Sequence, residues 1–331
     1  MRRADHGVAG GVPAEAAGSL RYTALGESPW RSAAYRRMLE DLERFARDGE
    51  AAVLLEGECG TGKTRLADYL HTISPRRYGP YVRADLAALP DQLAASELFG
   101  YVPGAFTGAR AKRAGLFMTA CGGTLLLDEI GKASLYVQQS LLHAIEYREL
   151  RPLGADREIT VDARIVATTN VPLASLVEEE RFLSDLYSRL LVFRVAVPPL
   201  RERRADIPRL VQDCVAFRAP RCRYSVAPVV HGELMEALKR AEWPYNLRQL
   251  DATMHRLLIE ADLDPELTLD LCRGNLAYLR EESPGQTDSE SAAPLEQLIT
   301  RHGGVSGAAR LLGVDRTTIY RRLERQQKRA D

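Results

Sequence analysis

Residues 51–64 read AAVLLEGECGTGKT, and this stretch decides the fold. The run 51–56 is apolar and β-prone. Gly57, Glu58, Cys59, Gly60, Thr61, Gly62, Lys63 and Thr64 then match G-x-x-x-x-G-K-[ST], and a helical pattern begins at once. A strand, a glycine-rich turn and a helix in that order make a phosphate cradle. Glycines let backbone N–H groups face phosphate oxygens, and the helix N-terminus adds its positive dipole. Lys63 reaches the β and γ oxygens of a nucleoside triphosphate, and Thr64 offers a hydroxyl to magnesium. ATP and Mg2+ are therefore the expected cofactors, with all eight loop residues around them.

Working outward, apolar β-rich runs at 124–127, 164–168 and 192–197 alternate with helical patterns, which predicts an α/β fold on a parallel sheet. After Pro198 and Pro199 such runs stop, and residues 200–280 read as helices, two of them separated at Trp243 and Pro244. The strand that starts at Thr124 ends in two carboxylates. Asp128 suits magnesium and Glu129 suits activation of water. The run 165–170 is another strand ending in polar residues, which places Thr169 and Asn170 where they would report on the γ-phosphate from the neighbouring strand.

The chain has 331 residues, enough for two domains and a small third. An apolar fraction of 45% and a charged fraction of 27% are ordinary for a globular protein. No run approaches the ~18 apolar residues of a membrane span. Residues 1–21 include Arg2 and Arg3 but are broken by glycine, proline and acid, so they read as a disordered leader of a cytoplasmic protein rather than a signal peptide. The five cysteines, Cys59, Cys121, Cys214, Cys222 and Cys272, form no C-x-x-C pair, which fits reduced thiols.

Residues 281–294, EESPGQTDSESAAP, have the composition of a linker. The net charge is zero, yet residues 301–331 carry eight Lys or Arg against three Asp or Glu, a local excess that invites nucleic acid. Residues 304–326 read as two short helices around Gly313 and Val314, with Asp315 as N-cap of the second. Ile319 and Leu323 face inward with Leu311 and Leu312. Arg316, Thr317, Thr318, Tyr320 and Arg321 form the DNA-facing set at the start of a recognition helix, and Arg322 and Arg325 are placed to hold phosphates.

One hexapeptide is not explained by nucleotide chemistry. In Gly104, Ala105, Phe106, Thr107, Gly108 and Ala109, two glycines flank an aromatic residue and a threonine, so the backbone turns tightly on both sides and presents an apolar side chain at the tip.

Taken together, GECGTGKT (57–64), SELFG (96–100), GAFTGA (104–109), GGTLLLDEIG (122–131), ATTN (167–170), DLYSRL (185–190), PPLRER (198–203), WPYNLRQL (243–250) and the C-terminal helix-turn-helix resemble one family. It is the AAA+ ATPases of the bacterial enhancer-binding class, which activate RNA polymerase carrying sigma-54, and the resemblance spans residues 22–327. It implies an α/β ATPase domain at 22–198, a helical lid at 199–280 and a Fis-type helix-turn-helix domain at 295–331. It also implies that the hexapeptide lines the pore of a ring, usually a hexamer, and contacts the sigma-54 holoenzyme, with a second pore loop between Gly154 and Glu158. Arg248 matches an arginine that senses nucleotide in cis, and Arg189 a finger offered to the neighbouring subunit. The helix-turn-helix implies dimeric binding to paired upstream sites on double-stranded DNA.

Three positions depart from the family pattern. Leu183 stands where a second trans arginine is usual, with Arg181 displaced by two positions. Asp85 replaces an asparagine whose amide donates to the catalytic glutamate, and an ionised carboxylate cannot donate. Asp85 and the catalytic glutamate are therefore expected to repel or to share a proton, raising one pKa and altering how loop contact couples to hydrolysis. Tyr245 replaces a glycine after Trp-Pro. Leu183 and Asp85 support an alternative reading, a DNA-bound regulator with a weakened ATPase acting as repressor or partner subunit. With the ATPase beginning near residue 22, no ~100-residue sensory domain is expected ahead of it, which points to control by a regulatory protein in trans.

Overall fold

The computed structural model describes residues 30–272 together with Leu276 and Leu279. The leader 1–21, the linker 281–294 and the segment 295–331, with Arg316, Thr317, Thr318, Tyr320, Arg321, Arg322 and Arg325, lie outside the described residues.

Five strands form one parallel sheet: β1 (Val53–Glu56), β2 (Tyr81–Asp85), β3 (Thr124–Asp128), β4 (Arg164–Thr169) and β5 (Phe193–Ala196). Their spatial order is β2-β3-β4-β1-β5. β1, β3 and β4 are buried along their whole length, as strands covered by helices on both faces must be, and this explains their unbroken apolar sequences. The run 51–56 is shortened because Asp48 Oδ1 accepts the N–H groups of Glu50 and Ala51, at 2.7 Å each, and holds both in a turn. β2 has no such signature. It lies at the sheet edge, mostly half-buried, and reads YVRAD.

Seven helices position the candidate site: α1 (Ala33–Ala46), α2 (Lys63–Ile73), α3 (Asp91–Phe99), α4 (Leu135–Tyr147), α5 (Ser184–Leu190), α6 (Ile207–Arg218) and α7 (Asn246–Glu260). α1 shows why its sequence is helical. The Ser32 hydroxyl accepts from the Tyr35 N–H at the start, and Tyr35, Met38, Leu39, Leu42 and Ala46 recur at three- and four-residue spacing on the buried face. The core joins Leu54, Leu125, Leu127, Ile165 and Ala167 of the sheet to Leu98, Phe117, Val137, Leu141, Leu186 and Leu190. Among the described residues, no helix is long and apolar enough to cross a membrane.

Among the described residues two compact units emerge, one running from Trp30 to Val229 and including Glu242–Pro265, the other comprising Val230–Ala241 and Glu266–Cys272 with Leu276 and Leu279. α6 and α7 therefore belong to the unit that holds the sheet. In the second unit, the helix Gly232–Arg240 buries Leu234, Ala237 and Leu238. The region read as wholly helical also contains two-residue strands, Val229–Val230 and Glu266–Leu267, too short to leave a period in the sequence. The break around Trp243 and Pro244 takes the form of positive φ angles at Trp243 (52°) and Asn246 (50°).

Arg164 is a buried cation at the first position of β4. Its guanidinium donates to the carbonyls of Ala51 (3.2 Å), Ala46 (3.3 Å) and Phe45 (2.7 Å), tying the end of α1 to the sheet. Burial pulls its pKa down to about 10. Arg164→Leu leaves three carbonyls without their donor and is expected to lower unfolding stability by about 3 kcal/mol in urea titrations, with nucleotide-site residues untouched.

Candidate functional site

The carboxyl ends of the strands open into a cavity of about 590 Å³ lined by the glycine-rich loop, the β3 carboxylates and the first turn of α7. It lies where β1 sits between β4 and β5, so that chain connections leave in opposite directions and create a crevice. α2 starts at Gly62 with φ 100° and no side-chain cap, so its first-turn N–H groups have no intrahelical acceptor. The Lys63 ammonium folds back to donate to the carbonyls of Gly57 (2.8 Å) and Glu58 (3.1 Å) and lies 3.9 Å from Glu129 Oε1. Burial pushes its pKa below the ordinary lysine value, and Glu129 and Asp128 oppose that shift.

Asp128 is buried at the end of β3. Its Oδ1 accepts from the Thr168 hydroxyl. Its Oδ2 accepts from the Thr64 hydroxyl at 3.2 Å and from Arg83 Nη2 at 2.5 Å. Glu129 follows with φ 57°, a left-handed conformation that a non-glycine residue adopts only under constraint. The constraint is visible: the Glu129 N–H donates to the Thr168 hydroxyl (3.1 Å), and Glu129 Oε2 accepts the Asn170 N–H (3.1 Å).

Asn170 thus meets Glu129 through its backbone. The Thr169 hydroxyl is taken up locally, donating to the Val171 carbonyl at 2.8 Å. Thr168 and Arg83, which the sequence reading did not single out, make the contacts to Asp128. Thr168 sits inside an unbroken buried strand, where only the ThrThr doublet marks it. Arg83 lies in β2, which has no clear pattern of its own.

Asp85 is register partner of Asp128. Its Oδ1 accepts the N–H groups of Ala87 (3.1 Å) and Ala88 (3.3 Å), and its Oδ2 lies 3.9 Å from Arg83 Nη2. The Arg83 guanidinium thus stands between the carboxylates of Asp85 and Asp128.

The start of α7 clasps the loop. Asn246, fully buried, donates from Nδ2 to Cys59 O (3.0 Å) and Glu58 Oε2 (3.2 Å) and accepts the Leu200 N–H at 2.6 Å. The Leu247 N–H donates to Gly60 O at 2.9 Å, and Arg248 Nη1 lies 3.1 Å from Cys59 Sγ. Arg201 makes a bidentate pair with Glu58 (2.6 and 2.8 Å) that holds its carboxyl below the usual range. A Cβ at Gly60 would stand 2.2 Å from Tyr245 O, so only glycine fits at 60, whereas the Tyr245 side chain is exposed.

Arg189 does not line this cavity. It lies on α5, half-exposed, paired with Glu146 at 2.6 Å. Leu183 packs into the apolar cluster while its N–H donates to Gln138 Oε1 at 2.9 Å, and Arg181 pairs with Glu179 at 2.8 Å.

The hexapeptide caps an antiparallel pair formed by Gly100–Tyr101 and Arg113–Ala114. Gly104 and Gly108 have φ 84° and 103° and open space around them, and Gly104 N–H donates to Ala109 O at 2.8 Å. The Phe106 ring is 45% exposed and stands edge-on to Tyr101 at 4.9 Å. Leu153 exchanges backbone hydrogen bonds with the hairpin, and Gly154 abuts Ala105, which a Cβ at Gly154 would meet at 2.8 Å. The two loops are therefore packed against each other at their bases.

The donor set fits the expected ligands. Thr64 Oγ1 and Asp128 Oδ2 are hard oxygens converging beside an uncapped helix N-terminus and a lysine, as magnesium with phosphate requires. Asn246→Gly keeps the positive φ but removes the amide; it is expected to weaken ATP binding roughly tenfold in a fluorescent-nucleotide titration and to lower unfolding stability by about 2 kcal/mol, because the Leu200 N–H and the Cys59 carbonyl lose their partner.

Family models match residues 30–196 (sigma-54 interaction domain), 201–289 (AAA+ ATPase lid domain) and 293–325 (bacterial regulatory protein, Fis family). The transcriptional activator HyfR of Escherichia coli is 35% identical over 320 residues, 91% of this chain and 48% of its own. The regulatory protein ZraR of Salmonella typhimurium is 37% identical over 324 residues, 95% of this chain and 71% of its own. The chain spans about half the length of HyfR and of other curated relatives it matches. The crystal structure of NtrX from Brucella abortus in complex with ATP superposes with a TM-score of 0.69 at 28% identity, covering 90% of this chain and 69% of that one. The chain belongs to the family of sigma-54-dependent transcriptional regulators, with an AAA+ P-loop domain, a lid and a Fis-type helix-turn-helix.

Proposed function

We propose that the chain is an ATP-hydrolysing transcription activator that binds upstream DNA and remodels the closed complex of the sigma-54 RNA polymerase holoenzyme through Gly104, Ala105, Phe106, Thr107, Gly108 and Ala109. The observation that carries this reading is the joining, in one compact unit, of the Lys63, Asp128 and Glu129 cavity to an exposed aromatic-tipped loop. Family membership and the ATP complex of NtrX support ATP as the substrate.

In this reading the loop from Gly57 to Thr64 cradles the phosphates, Lys63 leaves its carbonyl partners for the β and γ oxygens, and Arg248 contacts the nucleotide from α7. Magnesium held by Thr64 and Asp128 would neutralise charge on the phosphates. Glu129, fixed by Asn170, takes a proton from water as the water oxygen attacks the γ-phosphorus and the bond to the bridging oxygen breaks. Arg189 acts in trans in a ring, for which its absence from its own cavity is the support. The segment 295–331 anchors the assembly to DNA, in the cytoplasm, and a regulatory protein acts in trans. A second reading, a DNA-bound regulator with a weak ATPase acting as repressor or partner subunit, draws on Leu183 and Asp85, which stand where the resemblance implies a second trans arginine and an asparagine.

ATPase rate per protomer should rise with protein concentration, and Arg189→Ala should flatten that rise; a flat wild-type curve favours the second reading. Phe106→Ala should retain ATPase within about threefold and lose open-complex formation on a sigma-54 promoter. Open complexes formed by Phe106→Ala at the wild-type rate would overturn the role of the loop.

A further inference from the structure

Among the cations that line the cavity and have no task in the functional reading, Arg83 is the one that pairs with Asp128. Arg83 and Asp85 are two apart on β2, so their side chains leave the same face of the strand. Both line the cavity with Thr64 and Asp128. Arg83 Nη2 stands 2.5 Å from Asp128 Oδ2 and 3.9 Å from Asp85 Oδ2, so a single guanidinium nitrogen is shared unequally between two carboxylates.

The oxygens are not equivalent. Asp128 Oδ1 is committed to Thr168, which leaves Oδ2 as the oxygen on which Thr64 and Arg83 converge. A divalent ion bound through Thr64 and Oδ2 meets the guanidinium at the same atom, and two cations a few ångströms apart repel strongly in a recessed site. Asp85 offers the guanidinium its alternative. Its Oδ1 is pinned by the amides of Ala87 and Ala88, which fixes the carboxylate in place with Oδ2 toward Arg83. Arg83 is 48% exposed, so its side chain can make the exchange without backbone movement.

We propose that Arg83 and Asp85 form a two-position counter-ion for Asp128: the guanidinium either pairs with Asp128 Oδ2 or withdraws to Asp85, and this exchange sets the Mg2+ concentration that nucleotide binding requires. Arg83 is a positioning residue, acting through Asp128, and Asp85 acts through Arg83. The inference rests on the proposed Mg2+ and ATP site.

The test uses the full chain and a fluorescent, non-hydrolysable β,γ-imido analogue of ATP, titrated with MgCl2 from an EDTA-containing buffer. Arg83→Gln removes the competitor and should lower the Mg2+ midpoint roughly tenfold. Asp85→Ala removes the refuge and should raise the midpoint by a similar factor. The double variant should behave as Arg83→Gln, because Asp85 has no route to Asp128 without the guanidinium. Arg83→Lys, a conservative change at a half-exposed edge position, should stay within about threefold of wild type. An unchanged or raised midpoint in Arg83→Gln, or additive effects in the double variant, overturns the proposal. A wild-type chain that binds no analogue at any Mg2+ concentration instead overturns the ATP reading on which it rests.

Discussion

A carboxylate buried at the end of an apolar strand is expensive unless every lone pair finds a partner, and Asp128 is such a group. Its partners come from three separate elements: Thr64 from α2, Thr168 from β4 and Arg83 from β2. Satisfying one charge therefore fixes the relative positions of the glycine-rich loop, the central strand and the sheet edge. Thr168 carries the arrangement one residue further. Its hydroxyl both donates to Asp128 and accepts the Glu129 N–H, and this is what holds Glu129 in its left-handed conformation with its carboxylate turned toward Lys63 and Asn170.

The same edge of the sheet leads directly to the hexapeptide. β2 ends at Asp85, whose side chain organises the turn at Ala87 and Ala88; α3 follows, and α3 runs straight into the hairpin strand Gly100–Tyr101. A change in what Asp85 pairs with acts on the first turn of this path, whereas Phe106 sits at its far end. Between them lie the turn 86–90, the helix α3 and a two-residue strand. Packing of Gly154 against Ala105 and the backbone bonds from Leu153 join the second loop to the base of the hairpin.

Much of this was legible in the sequence for a physical reason. β1, β3 and β4 are buried on both faces, so their apolar runs could be nothing else in a chain with a glycine-rich turn between the first strand and a helix. The loop residues, Asp128 and Glu129 follow from their places at strand ends. Arg83 and Thr168 did not show, because their importance depends on which strands are neighbours. β2 and β4 lie on either side of β3, but far from it in the chain, and β2 lacks the apolar pattern that would have announced it. Asn246 lies within WPYNLRQL, where the sequence by itself gives it no role. Its positive φ and buried amide contacts with Glu58, Cys59 and Leu200 become visible only when α7 is seen against the loop.

Leu183 and Arg189 bear on how an assembly would complete the site. Leu183 packs, partly buried, against the apolar cluster, and its N–H donates to Gln138. Arg189 is engaged with Glu146, but both side chains are open to solvent, 52% and 29% exposed, and such a pair holds its arginine by at most about 1 kcal/mol. A γ-phosphoryl group, with several negative oxygens in a recessed cavity, attracts a guanidinium far more strongly. Glu146 therefore parks Arg189 without retaining it. In the proposed ring, assembly requires Arg189 to leave Glu146, just as metal binding in the proposed two-position counter-ion requires Arg83 to leave Asp128.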